Sequence, residues 1–131
     1  MPAETLPPPG SSSGDAKGVL KTIYFDFDRY NLKPRAIETL NNNLSWLKNN
    51  PDFEIRIEGH CDERGTDEYN LALGDRRAIT AREFLVKRGV SANRIRIISF
   101  GEERPVDSRH SNSAWSKNRR AEFLIVSKLS R

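Results

Sequence analysis

The sequence predicts an α/β sandwich of the α+β kind, a mixed sheet covered by helices in the order β-α-β-α-β-β. Three observations predict it. Segments of period-two hydrophobicity alternate with segments of helical period. Turn-forming residues separate them. The chain has 131 residues, 36% hydrophobic and 31% charged, which suits one modest core beneath a heavily charged surface.

Residues 1–18, "MPAETLPPPGSSSGDAKG", are rich in Pro, Gly and Ser and poor in apolar side chains. Such a stretch cannot bury enough surface to offset its ordering entropy. It is expected to be a flexible linker or tag, with the folded domain over residues 19–131. "LKTIYFDFD" alternates, Ile23, Phe25 and Phe27 against Tyr24, Asp26 and Asp28, as a half-buried strand does. Ile37, Leu40, Leu44 and Leu47 then recur at helical spacing, behind Pro34 at a first helical turn. Asn49, Asn50 and Pro51 end that helix. "FEIRIEGH" is a second strand with Phe53, Ile55 and Ile57 on one face, its regular part closing at Gly59. Thr66 is the expected N-cap of a second helix, with Asp67 and Glu68 at its positive end and Gly89 past its last turn. Leu71, Ala78, Ala81 and Leu85 form its expected buried stripe, flanked by Phe84. "NRIRIISFG" is a third strand, "EERPVDSRHSNS" a polar loop, "AWSKN" about one helical turn, and "RRAEFLIVSK" the last strand.

Composition limits the function classes. Lys and Arg number 22 against 18 Asp and Glu, a net charge of +4 without a long basic run. That permits an anionic partner and does not demand nucleic acid. Aromatics interleaved with bases on an exposed sheet would mark RNA binding, but Phe25, Phe27 and Phe123 read as core. One cysteine, Cys61, excludes an intrachain disulfide and a Cys-rich zinc site. Nothing in the composition calls for a cofactor or a metal. No apolar run approaches the ~20 residues that span a membrane.

The densest chemistry lies in "GHCDERGTDEYNLALGDRRA", from Gly59 to Ala78, which joins a strand end to a helix start. In α/β folds ligands collect at that edge. Asn70, Leu73 and Arg77 fall at i, i+3 and i+7 and share a helix face, with Asp62 in the loop above. A carboxylate and a guanidinium facing one space suit a zwitterion: Asp62 would accept from an ammonium and Arg77 would fork a carboxylate. A plain Asp62–Arg77 salt bridge is the competing reading. Asp28 and Asp62 could instead flank a sugar bond as a hydrolase pair, provided that one of them is held protonated. His60 and Cys61 are adjacent on an extended chain and point apart, which disfavours a thiol nucleophile or a shared metal. Cys61 has the parity of Ile55 and Ile57, so burial is expected, and His60 becomes an orienting hydrogen-bond partner.

Four blocks, "YFDFDRYNL", "IEGHCDERGTDEYNLALGDRRA", "SFGEERP" and "NRRAEF", together resemble the OmpA-like peptidoglycan-binding domain family, nearest to its peptidoglycan-associated lipoprotein (Pal) branch. The resemblance covers about Val19 to Val126 and implies the fold of an OmpA C-terminal domain. It implies a non-enzymatic module that binds peptidoglycan through the diaminopimelate of the stem peptide and tethers the outer membrane to the cell wall. Asp62 and Arg77 would be the main ligand residues, with Phe27 and Asp28 lining the same pocket. Asn70, Leu73 and His60 would support it, and Arg120 would do so from the last strand. Cys61 departs from the threonine common in relatives. The resemblance further implies TolB and the Tol system as partners. It places the chain in the periplasm, with a native form held in the outer membrane by a lipid anchor absent from these 131 residues. The alternatives are the wall anchor of a motor stator or porin and, from another class, a peptidoglycan hydrolase using Asp28 and Asp62. Asp62→Ala and Arg77→Ala are expected to weaken wall binding and leave the fold intact.

Overall fold

Strand β1 is Ile23–Tyr24, helix α1 is Pro34–Asn49, strand β2 is Phe53–His60 and helix α2 is Asp67–Lys87. A 3-10 turn at Ala92–Arg94 leads into β3, Ile95–Gly101, followed by α3, Asn112–Asn118, and β4, Arg120–Lys128. The computed structural model describes residues 19–128, so the expected linker at 1–18 lies outside the described residues. The sheet order is β1-β4-β2-β3. β2 and β3 are parallel, joined through α2, and β4 runs antiparallel between β1 and β2. The expected mixed α+β architecture is therefore present.

The core lies on one face of the sheet. Ile55 and Ile57 of β2, with Ala121 and Phe123 of β4, pack with Leu40 and Leu47 of α1 and with Ala78, Ala81 and Leu85 of α2. The period-two pattern of the strands puts Glu54, Arg56, Glu58 and His60 on the opposite face, where Glu58 pairs across to Glu122 and His60 to Arg120.

Four local expectations need correction. The first strand keeps only two ladder residues: alternation holds through buried Phe25, then a turn at Phe27 and Asp28 carries the chain off the sheet. Asp28 adopts φ +60° there, and Phe27 is 52% exposed rather than core. In α1 the buried stripe is Ala36, Leu40, Asn43 and Leu47, and Ile37 faces outward. The phase was masked by Asn43, a buried polar residue whose amide exchanges two 2.9 Å hydrogen bonds with the Lys21 backbone. In α2 the inward face carries Asn70, Leu73, Gly74 and Arg77 ahead of Ala78, and Leu71 is exposed. Again polar residues occupy the buried side. β2 spans Phe53–His60 as expected, and its register against β3 shifts directly after Gly59, where the regular part was expected to close. α3 is a full seven-residue helix whose N-cap, Ser111, accepts from the Ala114 N–H.

Candidate functional site

The loop after β2 is fixed before it meets any ligand. The Cys61 N–H donates to the Gly101 carbonyl at 2.8 Å, extending β2 toward β3. The Cys61 thiol turns inward and donates to the Asn70 carbonyl at 3.2 Å. Burial pushes its pKa up to about 11, so it is an inert, protonated packing group as expected. Thr66 caps α2 by accepting from the Tyr69 N–H at 3.1 Å. One turn on, buried Asn70 reaches back, and its amide donates to the Arg64 carbonyl at 3.0 Å and to the Asp62 carbonyl at 3.4 Å. The loop is thus tied to the helix from which Leu73 and Arg77 project.

A cleft of about 390 Å³ opens between this loop, α2 and the turn after β1. Phe27, Asp28, Asp62, Asn70, Leu73 and Arg77 all line it. They are joined by Cys61, Arg64, Gly65 and Tyr69. A larger groove of about 820 Å³ runs beside β1 and the start of α1, but none of the expected site residues lines it.

Arg77 is 1% exposed. Its guanidinium donates to three backbone carbonyls: Arg29 at 2.8 Å, His60 at 2.9 Å and Asp26 at 3.1 Å. Its carbon sits 5.2 Å from the centre of the Phe25 ring. Burial lowers its pKa, and the neighbouring Arg119 charge acts in the same direction. Among the described residues no carboxylate hydrogen-bonds it, so the Asp62–Arg77 salt bridge is not formed. The carbonyls orient the group without cancelling its charge.

Asp62 is also buried, at 4% exposure. Its Oδ1 accepts from the Arg64 N–H at 2.9 Å and from Arg64 Nε at 3.2 Å, and its Oδ2 accepts from the same guanidinium at 2.8 Å. Arg119 adds an ion-pair contact at 3.6 Å. Burial pushes the carboxyl pKa up, but the Arg64 hydrogen bonds and the cationic neighbours outweigh it and hold the pKa below the ordinary value. Asp28, on the far side of the cleft, accepts from the Tyr69 hydroxyl. A hydrolase needs one carboxyl held protonated. Arginine keeps Asp62 ionised, and this arrangement fits ion recognition.

Two expected supports sit elsewhere. The His60 ring lies on the opposite sheet face, its Nε2 3.3 Å from Glu58 Oε1 and the ring stacked on Phe100 at 5.6 Å. His60 supports the cleft through its carbonyl, which holds Arg77. Arg120 also turns to that opposite face, toward Glu122, and donates to the Arg104 and Asn118 carbonyls. Its neighbour Arg119 is the arginine that reaches the site, binding Asp62 and donating to the Phe25 carbonyl at 2.8 Å. Glu58, His60 and Glu122 bring one ligand atom each within 4.8 Å of the others. Arg56 at 2.6 Å and Arg120 at 2.5 Å already neutralise the two carboxylates, so the cluster reads as a buried ion network.

Sequence reasoning missed Arg64. Its guanidinium lies 3.9 Å from the Phe27 ring centre and 4.2 Å from that of Trp115. Trp115 in turn donates its indole N–H to Glu63 at 2.8 Å, and His110 contacts the same carboxylate at 2.6 Å. The Asp-x-Arg spacing was a usable signal, since a side chain two residues on can fold back over an Asp in a turn.

The OmpA family matches residues 24–119. The peptidoglycan-associated lipoprotein of Brucella melitensis is 50% identical over 117 residues, 89% of this chain and 70% of its own length. That of Rhizobium meliloti is also 50% identical over 117 residues, 89% of this chain and 66% of its own length. The crystal structure of the peptidoglycan-associated lipoprotein from Burkholderia pseudomallei is similar at a TM-score of 0.77 and 40% identity, over 80% of this chain and 89% of that one. The C-terminal domain of Helicobacter pylori MotB matches at a TM-score of 0.76 and 18% identity, over 82% and 85% of the two chains, a likeness of fold alone.

Proposed function

The chain belongs to the OmpA family, and from that premise we propose that it is a non-enzymatic module that holds peptidoglycan without a covalent bond. The observation that carries the proposal is a buried guanidinium with spare donors facing a buried carboxylate across one cleft. Arg77 uses three N–H groups on carbonyls and keeps two for a ligand carboxylate. Asp62 and Asp28 supply anionic oxygens for an ammonium. Leu73 and the ring of Phe27 offer apolar surface to the methylene chain between the two charges. The ligand of this chemistry in the cell wall is the diaminopimelate of the stem peptide, whose free end carries both charges.

The likeness to peptidoglycan-associated lipoproteins extends the proposal. The chain would act in the periplasm, in a native form anchored to the outer membrane as a lipoprotein, and tether that membrane to the wall. TolB and the Tol system are its proposed partners. The C-terminal domain of Helicobacter pylori MotB shares the fold at 18% identity, against 50% for the lipoproteins, which favours the tether.

Co-sedimentation with purified peptidoglycan sacculi tests the proposal. The wild-type chain should sediment with the wall, and Asp62→Asn should stay in the supernatant. The incubation should release no soluble wall fragments. Fragments accumulating with time would show a hydrolase.

A further inference from the structure

We infer that Arg64 is a built-in occupant of the ammonium end of the cleft, a cation that an incoming ligand must displace from Asp62. The inference rests on the zwitterion reading of the cleft and adds a competitor to it. The Arg64 guanidinium takes up both oxygens of Asp62 at once, at 3.2 Å and 2.8 Å. It is held there by two aromatic faces, Phe27 at 3.9 Å and Trp115 at 4.2 Å. A carboxylate below and rings on the flanks make a seat that binds organic cations generally. The chain's own cation fills it.

The seat survives when the side chain leaves. The Arg64 backbone N–H donates to Asp62 Oδ1 at 2.9 Å and fixes the carboxylate independently of the guanidinium. Arg119 stays 3.6 Å away on Oδ2, itself anchored on the Phe25 carbonyl. Trp115 is held by Glu63, not by Arg64. The Arg64 side chain is 34% exposed, whereas Asp62 is 4% exposed, so the arginine has water to move into and the aspartate does not. A ligand ammonium then exchanges one charge-assisted partner of Asp62 for another, and measured affinity is reduced by the fraction of molecules in which Arg64 occupies the seat.

The sign of the effect makes the inference testable. Removing a cation from a site for a ligand that also carries carboxylates ordinarily weakens binding. Removing a competitor strengthens it. We expect Arg64→Gln to bind a diaminopimelate-containing tripeptide roughly three- to tenfold more tightly than wild type in calorimetric titration. Arg64→Lys keeps the charge but lacks the planar fork and should fall between. In a Trp46→Phe background, Trp115 is the sole tryptophan. Its emission should shift on ligand addition when Arg64 is present, because the guanidinium leaves its ring, and should shift less in Arg64→Gln. Weaker or unchanged binding by a folded Arg64→Gln, while wild type binds, overturns the inference and leaves the cleft reading standing. Binding by Arg64→Gln alone supports both. Silence from both proteins sinks the cleft reading and the occupant with it.

Discussion

At the scale of residues, Arg77 and Asp62 differ in what each does for the fold. Arg77 joins the turn after β1, the end of β2 and helix α2 through three carbonyls. Its truncation leaves those oxygens without their donor at about 1–3 kcal/mol each where they stay buried. Arg77→Ala is therefore expected to melt well below wild type, contrary to the sequence expectation of an intact fold. Asp62→Asn is the cleaner probe, since an amide oxygen can still accept from the Arg64 N–H. It should melt near wild type in thermal denaturation and lose at least tenfold in wall binding, as breaking a charge pair costs ~2–5 kcal/mol. Normal binding by this variant would remove Asp62 from the site. The His60 imidazole makes a different prediction. Burial lowers its pKa below the ordinary value, with Glu58 opposing and Arg120 assisting. The unfolded chain then binds a proton that the folded chain refuses, so stability rises with pH through the window below about 6.5 and is complete above it. His60→Gln should flatten the melting temperature against pH in that window, and an unchanged slope would assign it to other groups. The residues legible in the sequence were those on one helical period, Asn70, Leu73 and Arg77. Arg119 and Arg120 were not separable by type. The sheet parity that sends Arg120 to the far face depends on where β4 starts, and sequence fixes strand ends poorly.

At the scale of elements, a contact between two glycines sets the distance from α2 to β2. A Cβ on Gly59 would stand 1.7 Å from the Gly74 carbonyl oxygen. One on Gly74 would stand 2.9 Å from the Gly59 oxygen and 2.3 Å from Ser99 Oγ. Backbone meets backbone here, which lets α2 lie low enough for Arg77, one turn on, to reach the His60 carbonyl. Gly59→Ala has no side chain to push aside and must lift the helix. It should cost ~3 kcal/mol or more by overpacking, read as a lower urea midpoint, and should weaken ligand binding beyond the loss of folded protein. A midpoint within error of wild type would mean that the helix has slack. Both helices were legible in extent because Pro34, Thr66 and Gly89 mark their ends chemically. Their phases were not. Asn43 in α1 and Asn70 and Arg77 in α2 are polar residues on the buried side, satisfied by partners distant in sequence or in the loop. A hydrophobic count therefore chose Ile37 and Leu71, which are exposed. In α2 the same polar residues that blurred the helix phase are the ones that build the cleft.

At the scale of the whole molecule, topology puts the cleft where it is. β2 and β3 are parallel, so the α2 crossover must start above the carboxyl end of β2, and the loop that begins α2 carries Asp62. The antiparallel insertion of β4 brings Arg119 beside that loop from the other end of the chain. The turn after β1 closes the third side with Phe27 and Asp28. Three segments far apart in sequence thus meet around one pair of opposite charges. This pair is proposed to read both ends of a zwitterion. Calorimetric titration of the wild-type chain with a diaminopimelate-containing stem tripeptide, beside the same peptide carrying lysine, tests it most directly. Lysine keeps the ammonium and lacks the distal carboxylate that Arg77 would hold. The diaminopimelate peptide should bind with at least tenfold preference over the lysine peptide. Equal affinity for the two, or binding of neither, would contradict it.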